Sequence, residues 1–162
     1  MRTPRGNLGA FAEICVIAAL YAALTIAVGF ISYGPIQFRI SEVMKSLVIW
    51  RPWLIVAFVL GNPLSNMASP QAGPWEFVFM PLANLVGGSL CVVIGRRSMW
   101  AGAAVYAAVI AAAVSFMLSV INRVPFLALF PPLLLSEAVL IVGAVPIMAR
   151  VQRAMEARGL SR

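Results

Sequence analysis

Six long apolar stretches run along the chain, separated by short segments rich in glycine, proline and polar residues. The Gly34-Pro35 pair ends the first stretch, because proline lacks an amide hydrogen and restricts the residue before it. A polar, proline-rich segment at 65–75 separates the third stretch from the fourth. The pattern predicts one domain, 1–162, with six helices at approximately 11–31, 40–50, 52–64, 76–94, 100–121 and 131–148.

The composition identifies the environment of these helices. Of the 162 residues, 62% are hydrophobic and only 10% are charged, whereas a soluble domain is about 25% charged. Helices of about 20 residues would use nearly the whole chain. The first stretch is longer than the apolar core of a signal peptide, so we expect it to be retained. The sequence predicts an all-α integral membrane protein, a six-transmembrane-helix bundle in the cell membrane.

The positive charges predict the orientation of the bundle. The net charge is +7, but no basic stripe with interleaved aromatic residues suggests nucleic acid as a partner. Basic residues beside membrane helices mark the cytoplasmic side. With both termini inside (N-in/C-in), the chain has nine basic residues inside and three outside. The inner set is Arg2, Arg5, Arg51, Arg96, Arg97, Arg150, Arg153, Arg158 and Arg162, and the outer set is Arg39, Lys45 and Arg123.

Polar side chains within the apolar stretches gather at the predicted outer ends of the helices. An ionisable group at bilayer depth costs ~2.5 kcal/mol or more unless it is paired or solvated. Such residues are therefore candidates for a binding site. The predicted inner halves hold almost no comparable group, which suggests a pocket open to the outside. The outer set comprises Gln37, Arg39, Glu42, Lys45, Asn62, Asn66, Glu76, Asn84, Asn122, Arg123 and Glu137.

Spacing leaves two interpretations of Glu42 open. Arg39, Glu42 and Lys45 are three residues apart and share one helical face. Glu42 could be held by both cations in a salt-bridge ladder. Alternatively, it could accept hydrogen bonds from a ligand that Arg39 orients. Gln37 is a candidate ligand group or a loop residue that contacts the backbone.

The other candidates also have structural alternatives. Glu76 begins the fourth helix, where the helix dipole favours a carboxylate. Trp75 could stack on a flat ligand or lie at the membrane interface. Asn66 and Asn84 could bind ligand or link helices by hydrogen bonds. Glu137 lies too deep in its helix for a cap and needs a partner, either Arg123 or a ligand.

Catalysis finds little support in the sequence. The chain has no Walker phosphate loop, and it has no histidine for acid–base chemistry or metal binding. We therefore expect no metal site, no catalytic residues and no bound cofactor. The alternatives to a binding protein are an autonomous small-molecule or vitamin permease and, less favoured, a membrane enzyme or assembly factor.

The sequence YGPIQFRISE at 33–42 closely resembles the QueT family, as does the glycine–asparagine stretch at 61–66. The resemblance covers about 12–150. It implies a substrate-binding S component of an energy-coupling factor (ECF) transporter that takes up a queuosine precursor, a 7-deazaguanine-type base. Lys45 departs from the family pattern, where an apolar residue is expected, so the salt-bridge interpretation of Glu42 stays open.

The resemblance also implies partners. An S component binds its substrate from outside under the first loop, and it associates with a membrane scaffold subunit and two ATPase subunits that use ATP. Small residues four apart on the first helix resemble the scaffold-docking surface of other S components. That role falls on Ala18 and Ala22, with Ala19 and Ala23 as the alternative register.

Overall fold

The computed structural model describes residues 7–34 and 37–158, and these residues form helices without any strand. Arg2, Arg5 and Arg162 of the charge count, and Pro35 and Ile36 of the first-loop motif, lie outside the described residues. In chain order the elements are α1 (Asn7–Ala27), α2 (Gly29–Ser32), a 3₁₀ helix (Ile40–Ile49), a 3₁₀ turn (Pro52–Leu54), α3 (Ile55–Asn66), a π-helical turn (Trp75–Phe79), α4 (Met80–Gly95), α5 (Met99–Asn122), α6 (Phe126–Glu137), a second π-helical turn (Ala138–Val142) and α7 (Val145–Ala157).

The all-helical prediction is confirmed, but the helices differ from the six predicted. Among the described residues, four continuous helices are long and apolar enough to cross a membrane: Leu8–Ala27, Trp75–Gly95, Met99–Asn122 and Phe126–Ala157. The first predicted helix is interrupted at Val28. The last begins at Phe126 instead of Pro131, and at a rise of about 1.5 Å per residue it is longer than the ~30 Å hydrocarbon core. Its end, α7, therefore extends beyond the apolar layer.

The second predicted helix is a 3₁₀ helix, and this explains how so short a segment runs the length of the bundle. Before it, Arg39 donates from Nε to the Ser32 carbonyl at 3.4 Å, beyond the end of α1. After it, Arg51 forms an ion pair with Glu13, near the start of α1. A 3₁₀ helix rises about 2.0 Å per residue, so Arg39 to Arg51 spans ~24 Å, whereas an α-helix would span ~18 Å. The greater rise per residue of the 3₁₀ helix therefore lets this segment extend alongside α1.

We call the two ends of the bundle the loop end, which carries residues 28–39, and the terminal end, where α1 begins and α7 lies. At the terminal end, Arg51 is buried and donates from Nε to Gln152 Oε1 at 2.6 Å. Trp53 Nε1 donates to Glu13 Oε2 at 2.9 Å. This terminal cluster corrects the expectation that the inner halves hold almost no polar group. Arg51 directly precedes Pro52, and this position in the sequence does not predict that its side chain is buried.

Small residues allow the helices to approach closely. A Cβ at Gly61 of α3 would lie 3.0 Å from the Ala18 carbonyl oxygen, so α1 and α3 touch through their backbones. Ala18 and Ala22 are buried, Ala18 against Gly61, whereas Ala19 and Ala23 are exposed. The preferred docking register, Ala18 and Ala22, is therefore not on the free surface of this chain. A four-residue spacing of alanines cannot distinguish an internal contact from an external one.

Candidate functional site

The structure gathers most of the polar candidates into one buried group in the half of the bundle nearer the loop end. We call it the buried polar cluster, and its members come from α1, the 3₁₀ helix, α3, the first π-helical turn, α4, α5 and α6. Each of them is nearly or fully excluded from solvent. The cluster comprises Tyr21, Arg39, Glu42, Lys45, Asn62, Asn66, Glu76, Asn84, Tyr106 and Glu137.

Glu42 is engaged within the protein. Its carboxylate forms an ion pair with Lys45 and accepts a hydrogen bond from the Tyr21 hydroxyl at 2.5 Å. Lys45 is 0% exposed, with its ammonium over the rings of Tyr21 at 5.8 Å and Tyr106 at 5.3 Å. In a 3₁₀ helix, side chains three apart are eclipsed, so Glu42 and Lys45 point the same way. The geometry thus shows half of the salt-bridge ladder, with Lys45 as the single paired cation.

Arg39 does not join that ladder. Its Nη2 lies 3.6 Å from Glu76 Oε1 and donates to Gln37 Oε1 at 3.2 Å. The guanidinium also lies over the Tyr33 ring, 5.7 Å from its centroid. Gln37 is buried and adopts a positive φ of 46°, a conformation that non-glycine residues adopt infrequently. Arg39 therefore ties the first loop to the start of the second long helix, Trp75–Gly95.

The asparagines have different roles. Asn84 Nδ2 donates to the Met80 carbonyl at 3.0 Å, and its Oδ1 accepts from the Tyr106 hydroxyl at 3.2 Å, which links α4 to α5. Asn84 thus links two helices by hydrogen bonds, which was the structural alternative to binding a ligand. Asn66 Nδ2 donates to Asn62 Oδ1 at 3.2 Å within α3, so Asn66 holds Asn62 in place. The Asn62 amide nitrogen is buried and has no hydrogen-bond partner among the described residues.

Two carboxylates are also left with unused acceptor atoms. Both oxygens of Glu76, and Oε2 of Glu137, are buried without a hydrogen bond from any described residue. Arg123, the suggested partner of Glu137, is exposed at the end of α5 and makes no contact with it. Buried polar groups in proteins are nearly always hydrogen-bonded. Two carboxylates with three oxygen atoms, and one amide nitrogen, are therefore free to hydrogen-bond a ligand.

Trp75 lies outside this cluster. Its ring makes edge-to-face contacts with Phe79 at 5.3 Å and Phe116 at 5.9 Å. It also lines an apolar surface groove with Val78 and Leu82. These contacts favour a position of Trp75 at the membrane interface over stacking on a ligand in the buried polar cluster.

A cavity opens at the loop end of the bundle, above the cluster. Its volume is about 410 Å³, within the range of ~300–1,000 Å³ typical of small-molecule sites. The lining includes Tyr33, Gln37 and Asn122. Gln37 and Tyr33 in the wall of the cavity both contact Arg39, so the cavity is linked to the buried polar cluster through Arg39, while no member of the cluster itself lines it. No group of metal-ligating side chains exists in the described parts of the chain.

Comparisons with known proteins agree with this architecture. The sequence profile of the family described as QueT transporter matches residues 11–153. This chain belongs to the QueT transporter family. A relative from Lactococcus lactis subsp. cremoris (strain MG1363), the "Queuosine precursor transporter QueT", is 33% identical over 147 residues, which cover 81% of this chain and 85% of the relative. No solved structure matches the chain.

Membership in the QueT transporter family fixes the general class of the protein. It is a multi-pass plasma membrane protein of a transporter family, and the family is not one of enzymes. The four long apolar helices suit this location. A transporter acts on a small molecule, and a buried polar cluster with unused acceptors beneath a cavity is a suitable place to hold one.

Sequence reasoning missed two members of the cluster as site residues, Tyr21 and Tyr106. Both lie in long apolar stretches, where an aromatic residue predicts core packing. Asn62 was found only as one of the outer polar residues, and α3 continues past it through Pro63 to Asn66. A signal was present at Asn62 and Asn66, since a four-residue spacing of two amides places them on one helical face.

Proposed function

We propose that this chain is the substrate-binding S component of an ECF-type importer and that it takes up a queuosine precursor. Its membership in the QueT transporter family and its similarity to the Lactococcus queuosine precursor transporter support this substrate class. The cavity at the loop end, joined to buried polar groups, supports binding from that side.

The observation that carries the proposal is that the Glu76 oxygens and the Asn62 amide nitrogen are buried without a hydrogen bond to any described residue. A 7-deazaguanine base has a ring N–H beside an exocyclic amine, and one carboxylate can accept both. Its ring carbonyl can accept from the free amide of Asn62. Glu42 is less suited to this role because Lys45 and Tyr21 already occupy its oxygens. We assign the base edge to Glu76, whose charge Arg39 balances.

Binding of free bases to the purified protein tests this assignment. We expect 7-deazaguanine compounds to raise the melting temperature, since a ligand that binds only the folded state stabilises it. A 7-deazaadenine, whose N1 carries no hydrogen and whose position 2 carries no amine, cannot offer this pair of donors and should have little effect. Replacing a charged acceptor by a neutral one should weaken binding about ten- to a hundredfold in Glu76→Gln.

The matched control is Glu156→Gln. Glu156 lies at the terminal end, where it accepts from Gln152 Nε2 at 2.9 Å, far from the cavity. This variant should bind the base as the unmodified protein does. Equal affinity for deazaguanine and deazaadenine, or an unchanged affinity in Glu76→Gln, would contradict the assignment of the base edge.

We further propose six crossings with both termini inside. The segment that holds the 3₁₀ helix runs from the loop end to the terminal end, and α3 returns, so this pair adds two crossings to the four long helices. Exposed arginines gather at the terminal end, as the positive-inside rule requires of a cytoplasmic face. They are Arg96, Arg97, Arg150, Arg153 and Arg158.

The proposed partners are a membrane scaffold subunit and two ATPase subunits, with ATP used by those subunits and no cofactor bound by this chain. Ala19 and Ala23 support docking of the scaffold, because they are exposed on α1 and small residues let a helix approach closely. We expect Ala23→Leu to keep substrate binding and to lose ATP-dependent uptake. Ala104→Leu, at an exposed alanine of α5, is the matched control and should transport normally.

Reconstitution separates this proposal from an autonomous permease. The chain should co-purify with scaffold and ATPase subunits, and proteoliposomes should accumulate substrate only when those subunits and ATP are present. Accumulation by the chain alone would establish the permease and refute the ECF assignment.

A further inference from the structure

Charges in the buried polar cluster do not balance. Three carboxylates, Glu42, Glu76 and Glu137, lie among two cations, Arg39 and Lys45. Lys45 pairs with Glu42, and Arg39 lies 3.6 Å from Glu76. Glu137 is the third carboxylate, and neither cation forms an ion pair with it within the described part of the chain.

Glu137 lies deep in the protein. It ends α6 and is 2% exposed, and its Oε2 has no hydrogen-bond partner among the described residues. The neighbouring Ser136 hydroxyl is also buried and unpaired within that same part of the structure. Glu137 is close enough to Glu42, Lys45 and Arg39 to interact electrostatically with them, so it belongs to the same site. The repulsion from Glu42 adds to the cost of burial.

A buried carboxylate without a counter-ion is costly, and proteins normally pair or neutralise it. Among the described residues, the cluster holds no further cation. The base edge assigned to Glu76 would not correct the imbalance, because the ring N–H and amine of a deazaguanine are neutral. In the empty site a proton can neutralise Glu137, and in the occupied site a cationic group on another part of the ligand can replace that proton.

We infer that Glu137 binds a positively charged amine on the substrate and selects for it over a neutral substituent. This rests on the proposed function and names the form of the precursor: a deazaguanine whose side arm ends in a protonated amine. The ammonium donates to Oε2 of Glu137 in a charge-assisted hydrogen bond and brings the cluster to neutrality. A neutral arm, such as a nitrile, leaves Glu137 unpaired.

Two probes that differ in this arm test the inference: 7-aminomethyl-7-deazaguanine and 7-cyano-7-deazaguanine. Isothermal titration of the purified protein should show that the amine binds about ten- to a hundredfold more tightly. In Glu137→Gln, that ratio should fall to about one through weaker binding of the amine, with binding of the nitrile kept. Glu76→Gln should weaken both probes and preserve their ratio.

Each outcome has one meaning. If neither probe binds, the proposed function fails. If the unmodified protein binds both equally, or prefers the nitrile, this inference is overturned while the proposed function stands. A Glu137→Gln variant that keeps the preference also overturns it.

The inference stays testable if Glu137→Gln does not fold. The unmodified protein is then titrated with 7-hydroxymethyl-7-deazaguanine, in which a neutral hydroxyl of nearly the same size replaces the ammonium. A tenfold or greater loss relative to the free amine supports the role of Glu137, because no other carboxylate of the cluster lacks a cation. Equal binding of the two compounds refutes it.

Discussion

The ion pair between Glu42 and Lys45 allows a direct test of whether Glu42 is structural. Both side chains are buried, and they are paired with each other. Replacing Lys45 by methionine keeps the length of the side chain and removes the charge. Glu42 would then keep only the Tyr21 hydroxyl at 2.5 Å as a donor, with Glu137 as a neighbouring negative charge.

The expected magnitude follows from the burial of the pair. Removing one partner of a buried ion pair typically destabilises a protein by about 3–5 kcal/mol, because the other charge is left uncompensated. For a domain of this size, 1 kcal/mol shifts the melting temperature by about 2–4 °C. Lys45→Met should therefore lower the melting temperature by about 6–20 °C. Glu42→Gln should have a similar effect, since it leaves the ammonium with only the two tyrosine rings.

The double variant separates the structural role from a ligand role. Replacing both partners by neutral groups is often nearly neutral for stability, so Glu42→Gln/Lys45→Met should melt well above either single variant. It should also keep most of its affinity for a deazaguanine, because Glu76 and Asn62 are intact. The assay is thermal unfolding in detergent with and without ligand. Single variants that melt within about 2 °C of the parent, or a stable double variant that binds no base, would refute this reasoning.

Two further variants test the framework around the site. Arg51→Met should lower the melting temperature by a comparable 6–20 °C, because it removes both the buried ion pair with Glu13 and the hydrogen bond to Gln152 at the terminal end. Arg97→Met, at an exposed position, should change it little, and equal melting of the two would show that the terminal cluster contributes nothing. Gly102→Ala should destabilise by about 1–3 kcal/mol in the same assay, since a Cβ there would lie 2.7 Å from the Cys91 carbonyl oxygen and from Gly95 Cα. Gly73→Ala, where the nearest atom is 3.7 Å away, is its control, and a neutral Gly102→Ala would mean that α4 and α5 are not packed so closely.

Hydropathy predicted the helical class and most of the long helices, because the bilayer leaves few alternatives to a helix. It could not predict the 3₁₀ geometry of 40–49. Apolar residues there favour a buried helix of either kind, and the choice depends on how far the segment has to reach. That distance is set by α1, through the contacts that Arg39 and Arg51 make with Ser32 and Glu13.

The candidate site was partly predictable for a similar reason. Polar residues inside apolar stretches are conspicuous, so Arg39, Glu42, Glu76 and Glu137 were all found from sequence. Their pairing was not. A spacing of three joined Glu42 to Arg39 and Lys45 equally well, whereas the partner that Arg39 approaches, Glu76, is distant in the chain and is brought close by packing.

Pairing is also what assigns different roles to chemically identical side chains. Glu42 is paired with the Lys45 ammonium and the Tyr21 hydroxyl, so neither of its oxygens can bind a ligand without breaking an existing contact. Glu76 has a balanced charge and unused lone pairs, so it suits neutral N–H donors. Glu137 has neither a counter-ion nor a full set of donors among the described residues, so it suits a cation. In the proposed binding mode, the pairing of Lys45 with Glu42 and of Arg39 with Glu76 therefore determines which carboxylate would recognise which part of the substrate.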